Sequence, residues 1–213
     1  MLIKNTYFSG GGKINLNPKE NWRIIMPTVK MMFKNAADII ESLTDNHKDP
    51  LHIGEAMACW TYYSFVSSAV IIVEIGLNTT NDTKLRKILQ DSRKMMKSHQ
   101  KELDEFLRQG GVPLSETPEA KPKSDPSAVP LGTKFTDNEL TNTININFVA
   151  AADLCAVSAS QSLRKDVAMM FLKFQTDKLS LGLKMKELMR TKGWLKVPPF
   201  YHPPGGSPTE NKS

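Results

Sequence analysis

Residues 51–111 read LHIGEAMACWTYYSFVSSAVIIVEIGLNTTNDTKLRKILQDSRKMMKSHQKELDEFLRQGG, and this stretch decides the fold. Its first half, residues 51–78, is apolar on most of its circumference, the pattern of a helix surrounded by other helices. Thr79, Thr80, Asn81 and Asp82 follow, turn and cap residues whose short oxygens satisfy free amides. From Thr83 the pattern changes to one stripe: Leu85, Ile88, Leu89, Ser92, Met95, Met96, His99, Leu103, Phe106 and Leu107 recur at steps of three and four, ending at Gly110 and Gly111. Two long helices joined by four residues must lie antiparallel.

Working outward, residues 27–43 place Val29, Met32, Phe33, Ala36, Ala37 and Ile40 on one face, with Pro27 in the first turn, and predict a leading helix. Residues 1–20, which hold Gly10, Gly11 and Gly12, read as a flexible N-terminus without a secretory signal. On the other side of the hairpin, Pro113, Pro118, Pro122, Pro126 and Pro130 punctuate a crossover over about residues 110–138 with almost no apolar side chains. It cannot offset its ordering entropy by burial and is read as extended or mobile, and it can run the length of a helix pair. Thr136 and Glu139 have capping-box spacing. The β-branched Ile144 and Ile146 argue against continuous helix there, with regular structure resuming by Asn147 through Phe148, Ala151, Ala152, Cys155 and Ala159. A break near Ser160 to Ser162 precedes a last helix over residues 163–191, with Val167, Met170, Phe171, Phe174, Leu181, Met185, Leu188 and Met189 inward and Gly193 as its stop. Residues 194–204 suggest an extended strap, and residues 205–213 a disordered tail.

The expected architecture is therefore all-α: a four-helix bundle wired as hairpin, long crossover, hairpin, with an extra N-terminal helix, in one domain over residues 21–204. Among helical bundles that wiring is the ferritin-like one. The chain of 213 residues is 40% apolar and 23% charged, with a net charge of +6, which excludes collagenous, mucin-like and wholly disordered classes. Its two cysteines, Cys59 and Cys155, make no disulfide framework or metal knuckle, and a reducing compartment is the default. Residues 56–73 carry no charge, yet Glu55, Glu74 and several hydroxyls make them a core helix rather than a transmembrane span.

Ferritin-like bundles that bind metal use Glu-x-x-His pairs. This chain has only the reverse, His52-x-x-Glu55 and His99-x-x-Glu102. If the turn at residues 79–82 sets the pairing, positions summing to about 161 face each other, so His99 lies level with Tyr62 and Glu102 with Cys59. His52 is then about 15 Å along the axis from His99, and one site using all four residues is not expected. A metal held by Glu55, His99 and Glu102 is the minor reading; the favoured one makes His99 a core-edge histidine bonded to a neighbour and Glu55 and Glu102 first-turn or surface carboxylates. Glu74 falls in core register and is expected to pair with a Lys or Arg of another helix. Asp153, Asp166 and Asp177 have no histidine near them in this reading. No nucleotide loop, nucleophile elbow or Cys-x-x-Cys is present. The cysteines and the eleven methionines read as packing groups, and the basic runs, including residues 93–101, as solvated faces. Catalytic residues and cofactors are accordingly none, and nucleic acid is not an expected partner.

Leu51 to Trp60, Asn78 to Asp82, Gly111-Val-Pro113, Phe135-Thr-Asp137, Ser162 to Val167 and Lys192 to Tyr201 together resemble a family of uncharacterised helical proteins of endospore-forming bacteria, domain of unknown function 3231, itself similar to spore coat protein F. The resemblance implies a ferritin-like bundle and an association with sporulation or the spore coat, in a cytoplasmic, spore or coat location. It implies no catalytic mechanism. The resulting expectation is a non-enzymatic structural or interaction component with protein partners or self-association. The alternatives are a metal-binding ferritin-like oxidase or storage protein, and a membrane-surface protein using the basic C-terminal face.

Overall fold

The computed structural model describes residues 49–199 and Tyr201. The expected leading helix at residues 27–43, the flexible residues 1–20 and the tail at residues 205–213 lie outside the described residues. Four long helices carry the described structure: α1 (Ile53–Thr79), α2 (Thr83–Gln109), α3 (Asp137–Gln161) and α4 (Lys165–Lys192), with a short 3-10 turn (Pro126–Ala128) in the connection between α2 and α3. No strand occurs among the described residues.

Each helix boundary has a local cause. His52 caps α1 through Nδ1, which accepts from the amides of Gly54 and Glu55 at 3.0 and 3.3 Å. Asp82 caps α2, its carboxylate accepting from Lys84 and Leu85, both at 2.9 Å. Thr136 and Glu139 form the reciprocal box read from their spacing and start α3. Gly193 ends α4 with φ of 72°, a left-handed conformation in which a side chain would be strained.

The helices run up, down, down and up. α1 pairs with α2 through the tight turn and α3 with α4 through residues 162–164, while α1 also packs on α3 and α2 on α4. Cross-contacts set the levels: Leu140 near the start of α3 lies against Gly76 near the end of α1. Lys192 at the end of α4 meets Asp82 at 2.6 Å, at the start of α2. The connection at residues 110–136 must therefore climb the full length of the helices, as its proline-rich composition suggested. It is also pinned. Glu74 accepts from the Lys121 amide at 2.8 Å, and Asn78 donates to the Pro122 carbonyl at 2.8 Å and accepts from the Ser124 amide at 3.2 Å.

α3 corrects one expectation. Ile144 and Ile146 do not interrupt it; helix is continuous over Asp137–Gln161. A β-branched residue costs only a few tenths of a kcal/mol in a helix, at most about 0.7. Ile144 is fully buried, which contributes roughly 1.5–3 kcal/mol, so tertiary packing decides.

The core lies where all four helices meet, and it includes Tyr62, Leu85, Leu103, Phe148, Phe171 and Phe174, all essentially inaccessible. α1 and α3 are each long and apolar enough to cross a membrane by length and composition. For α1 the cause is visible: α2, α3 and the 3-10 turn all pack against it. Its polar groups find internal partners, Gln100 donating to Ser67 at 2.8 Å and Arg93 pairing with Glu74 at 2.9 Å.

Candidate functional site

Tyr62, His99, Asp177 and Lys178 gather at mid-height of the helices. α2 places His99 on its apolar stripe, level with Tyr62 of α1 as the register through the turn requires. The Tyr62 hydroxyl and His99 Nδ1 are 3.1 Å apart. His99 Nε2 lies 3.1 Å from the Asp177 carboxylate of α4. A carboxylate only accepts, so Nε2 carries the proton and Nδ1 accepts from the tyrosine. Phe174 lies against both rings, stacked on Tyr62 at 5.3 Å and 4.1 Å from His99. The absence of a histidine near Asp177 is thus overturned: α4 runs antiparallel beside α2, which brings residues 99 and 177 together.

Burial dominates the electrostatics. His99 is 1% exposed, and desolvation lowers its pKa to about 4, against the raising effect of the Asp177 hydrogen bond and with a further lowering from Lys178. The imidazole is neutral at pH 7, so the His99–Asp177 contact is a hydrogen bond rather than an ion pair. Burial raises the Cys59 thiol to about 12, and it raises Cys155 to about 11 against the lowering effects of the neighbouring Tyr62 hydroxyl and of Lys178. Both remain thiols at neutral pH, as packing cysteines should. The Tyr62 phenol is pushed well above its ordinary value, chiefly by burial. Asp177 is half-exposed and opens onto a surface cleft of about 300 Å³ between α2 and α4, floored by His99.

Lys178 is the least expected member. It is 1% exposed, and its Nζ has no hydrogen-bond partner among the described residues. The ammonium position lies 5.8 Å from the Phe148 ring and 6.0 Å from the Tyr62 ring, and desolvation lowers its pKa to about 8. The signal was present in the sequence: Phe171, Phe174, Lys178, Leu181 and Met185 keep helical spacing, so residue 178 occupies a core position.

The titration of His99 has a measurable consequence. Its folded pKa lies below the unfolded value near 6.5, so the unfolded state binds the extra proton first. Stability is complete above about pH 6.5 and falls as pH drops from there towards 4. Urea unfolding should show a loss of about 3 kcal/mol across that window, and His99→Gln should remove this component of the slope.

The three candidate metal ligands belong to separate hydrogen-bond sets. Glu55 is in the first turn as expected, but it is buried at 2% exposure rather than on the surface. Its Oε1 accepts from the amides of Leu163 and Arg164 at 2.9 and 2.7 Å. Glu102 pairs with Lys173 at 2.6 Å, and His99 is held by Tyr62 and Asp177. Among the described residues, no three His, Cys, Asp or Glu side chains converge to hold an ion. Glu74 pairs with Arg93 of α2, as its register required.

Comparison with known proteins places this architecture. A relative, the uncharacterised protein YvdQ of Bacillus subtilis (strain 168), is 31% identical over 160 residues, covering 75% of this chain and 94% of its own length. A solved crystal structure from Bacillus halodurans C-125, described as a "putative spore coat protein", is 33% identical with a TM-score of 0.70, covering 72% of this chain and 97% of that one. The model of the family described as "Protein of unknown function (DUF3231)" matches residues 41–206. The chain belongs to the DUF3231 family.

Proposed function

We propose that this protein is a non-enzymatic, ferritin-like four-helix bundle that serves as a structural or interaction component of sporulation, associated with the spore or its coat. The observation that carries the reading is the likeness, 33% identical over nearly the whole of the other chain, to the protein described as a "putative spore coat protein". The up, down, crossover, down, up course of the helices is that of the ferritin-like class and supports the finer fold assignment. The chemistry of the core agrees with a structural role. His99 is neutral and held on both sides, the thiols are protonated, and the amine of Lys178 is sealed from solvent.

The metal-dependent reading is less well supported, because Glu55, His99 and Glu102 each hold a different partner. The test is the time and place of accumulation in an endospore-forming host. A fluorescent fusion and immunoblots of fractionated cells should show the protein appearing during sporulation and remaining with the spore. Constant expression through vegetative growth, with no spore-associated fraction, would contradict the proposal.

A further inference from the structure

The solvent side of the α3–α4 pair carries an apolar surface that the fold leaves uncovered among the described residues. Ile146, Val149 and Val157 on α3 are 67, 45 and 53% exposed, and Leu172, Leu179 and Leu183 on α4 are 41, 52 and 68% exposed. Residues 146, 149, 153 and 157 follow helical spacing, as do 172, 176, 179 and 183, so each set forms one stripe. The stripes adjoin. α4 turns Lys173 and Asp177 towards α2, where they meet Glu102 and His99, and turns Gly182 towards Phe148 of α3. Leu172, Leu179 and Leu183 therefore lie on the flank beside α3. With residues 148 and 182 level, Ile146 stands beside Leu183 and Val157 beside Leu172 in this antiparallel pair.

We propose that this face is the contact through which two copies of the chain associate. Two observations select a second copy as the occupant. The first is charge. The chain carries +6, and the exposed side of α2 bears Lys94, Lys97 and Lys101, so copies repel over much of their surface. Between residues 146–157 and 172–183 the two stripes hold a single charge, that of Asp153, the remaining position being Thr176. A nearly uncharged apolar patch is self-complementary, which a two-fold interface requires because the same residues meet from both sides. The second is size. Exposed fractions of 41–68% on six aliphatic side chains leave roughly 500 Å² of apolar surface, at the upper end for a monomer. That is more than half of the ~800 Å² each partner contributes to a stable interface.

The inference deepens the interaction role proposed above by naming its partner, and its test uses purified full-length protein, so that it fails separately from the spore assignment. Sedimentation equilibrium of the wild type should give about twice the 23.8 kDa chain mass. Ile146→Glu combined with Leu183→Glu should weaken association by about 100-fold or more, with an unchanged far-ultraviolet circular dichroism spectrum. Leu179→Gln with Leu183→Gln gives the same direction by a milder change if the acidic pair disturbs folding. Ile53→Glu, 87% exposed at the foot of α1, should leave the dimer intact. A monomeric wild type would overturn the inference, as would a dimer untouched by both double variants or one dissociated by Ile53→Glu alone. A monomer that still accumulates with spores would leave the functional proposal standing.

Discussion

Replacing Lys178 with methionine is expected to stabilise the protein by about 3 kcal/mol at pH 7 and to raise its thermal midpoint by about 10 °C. Methionine keeps the unbranched stem that fills the space among Phe148, Tyr62 and Cys155 while removing the ammonium. The wild-type side chain is 1% exposed and lacks a hydrogen-bonding partner among the described residues. The two ring faces near 6 Å offset only part of the lost hydration. The sign follows from linkage. Burial lowers the folded pKa from 10.5 to about 8, so the unfolded chain holds the proton more tightly between those values. The lysine's contribution is least favourable below pH 8 and recovers as pH rises towards 10.5. Paired urea titrations of wild type and Lys178→Met should differ by the full amount at pH 7 and converge by about pH 10.5. Alkaline titrations of groups that Lys178 does not influence, Cys59 among them, cancel in that difference. A methionine variant less stable than wild type at pH 7 would mean that the ammonium has a stabilising partner.

Glu55→Ala should have an opposite effect of similar size, a loss of about 4 kcal/mol and about 10 °C. One carboxylate serves two helix starts. It accepts from the His52 amide at 3.3 Å within the α1 cap, and from the Leu163 and Arg164 amides 108 and 109 residues away. Arg164 is the N-cap of α4 and makes no side-chain cap of its own, so Glu55 supplies the negative end from another helix. Alanine leaves the amides of Leu163 and Arg164 without an acceptor in a partly buried site, which is why the loss exceeds that of an ordinary surface cap. Glu55→Gln keeps one acceptor oxygen but sets an amide group among donors, and about half the loss is expected. Equilibrium unfolding checks both variants. A Glu55→Ala protein within experimental error of wild type would mean that these contacts contribute nothing net.

The parts of this structure legible in the sequence are those governed by neighbouring residues. The bounds of α2 follow from Asp82 and from Gly110 and Gly111, because a short acidic side chain and a glycine act on the nearest turn. The level pairing of His99 with Tyr62 follows from the four-residue turn, because 1.5 Å per residue leaves little freedom over five helical turns. What was not legible depends on how the two hairpins meet. Neither Asp177 beside His99 nor Glu55 beneath Leu163 can be inferred from spacing, since both contacts bridge the long crossover. Lys178 is intermediate: its spacing matches the inward residues of α4, but its charge kept it out of the inward set read from the sequence, and in the fold it is buried with them. Ile144 makes the same point for propensity, which yields to burial.

The most direct test of the central claim, that the His99 cluster and the carboxylates at Glu55 and Glu102 are architectural, is elemental analysis of the protein purified from an endospore-forming host. Substoichiometric iron, manganese and zinc, unchanged in His99→Ala, is the predicted result. A stoichiometric metal lost on that substitution would contradict the account.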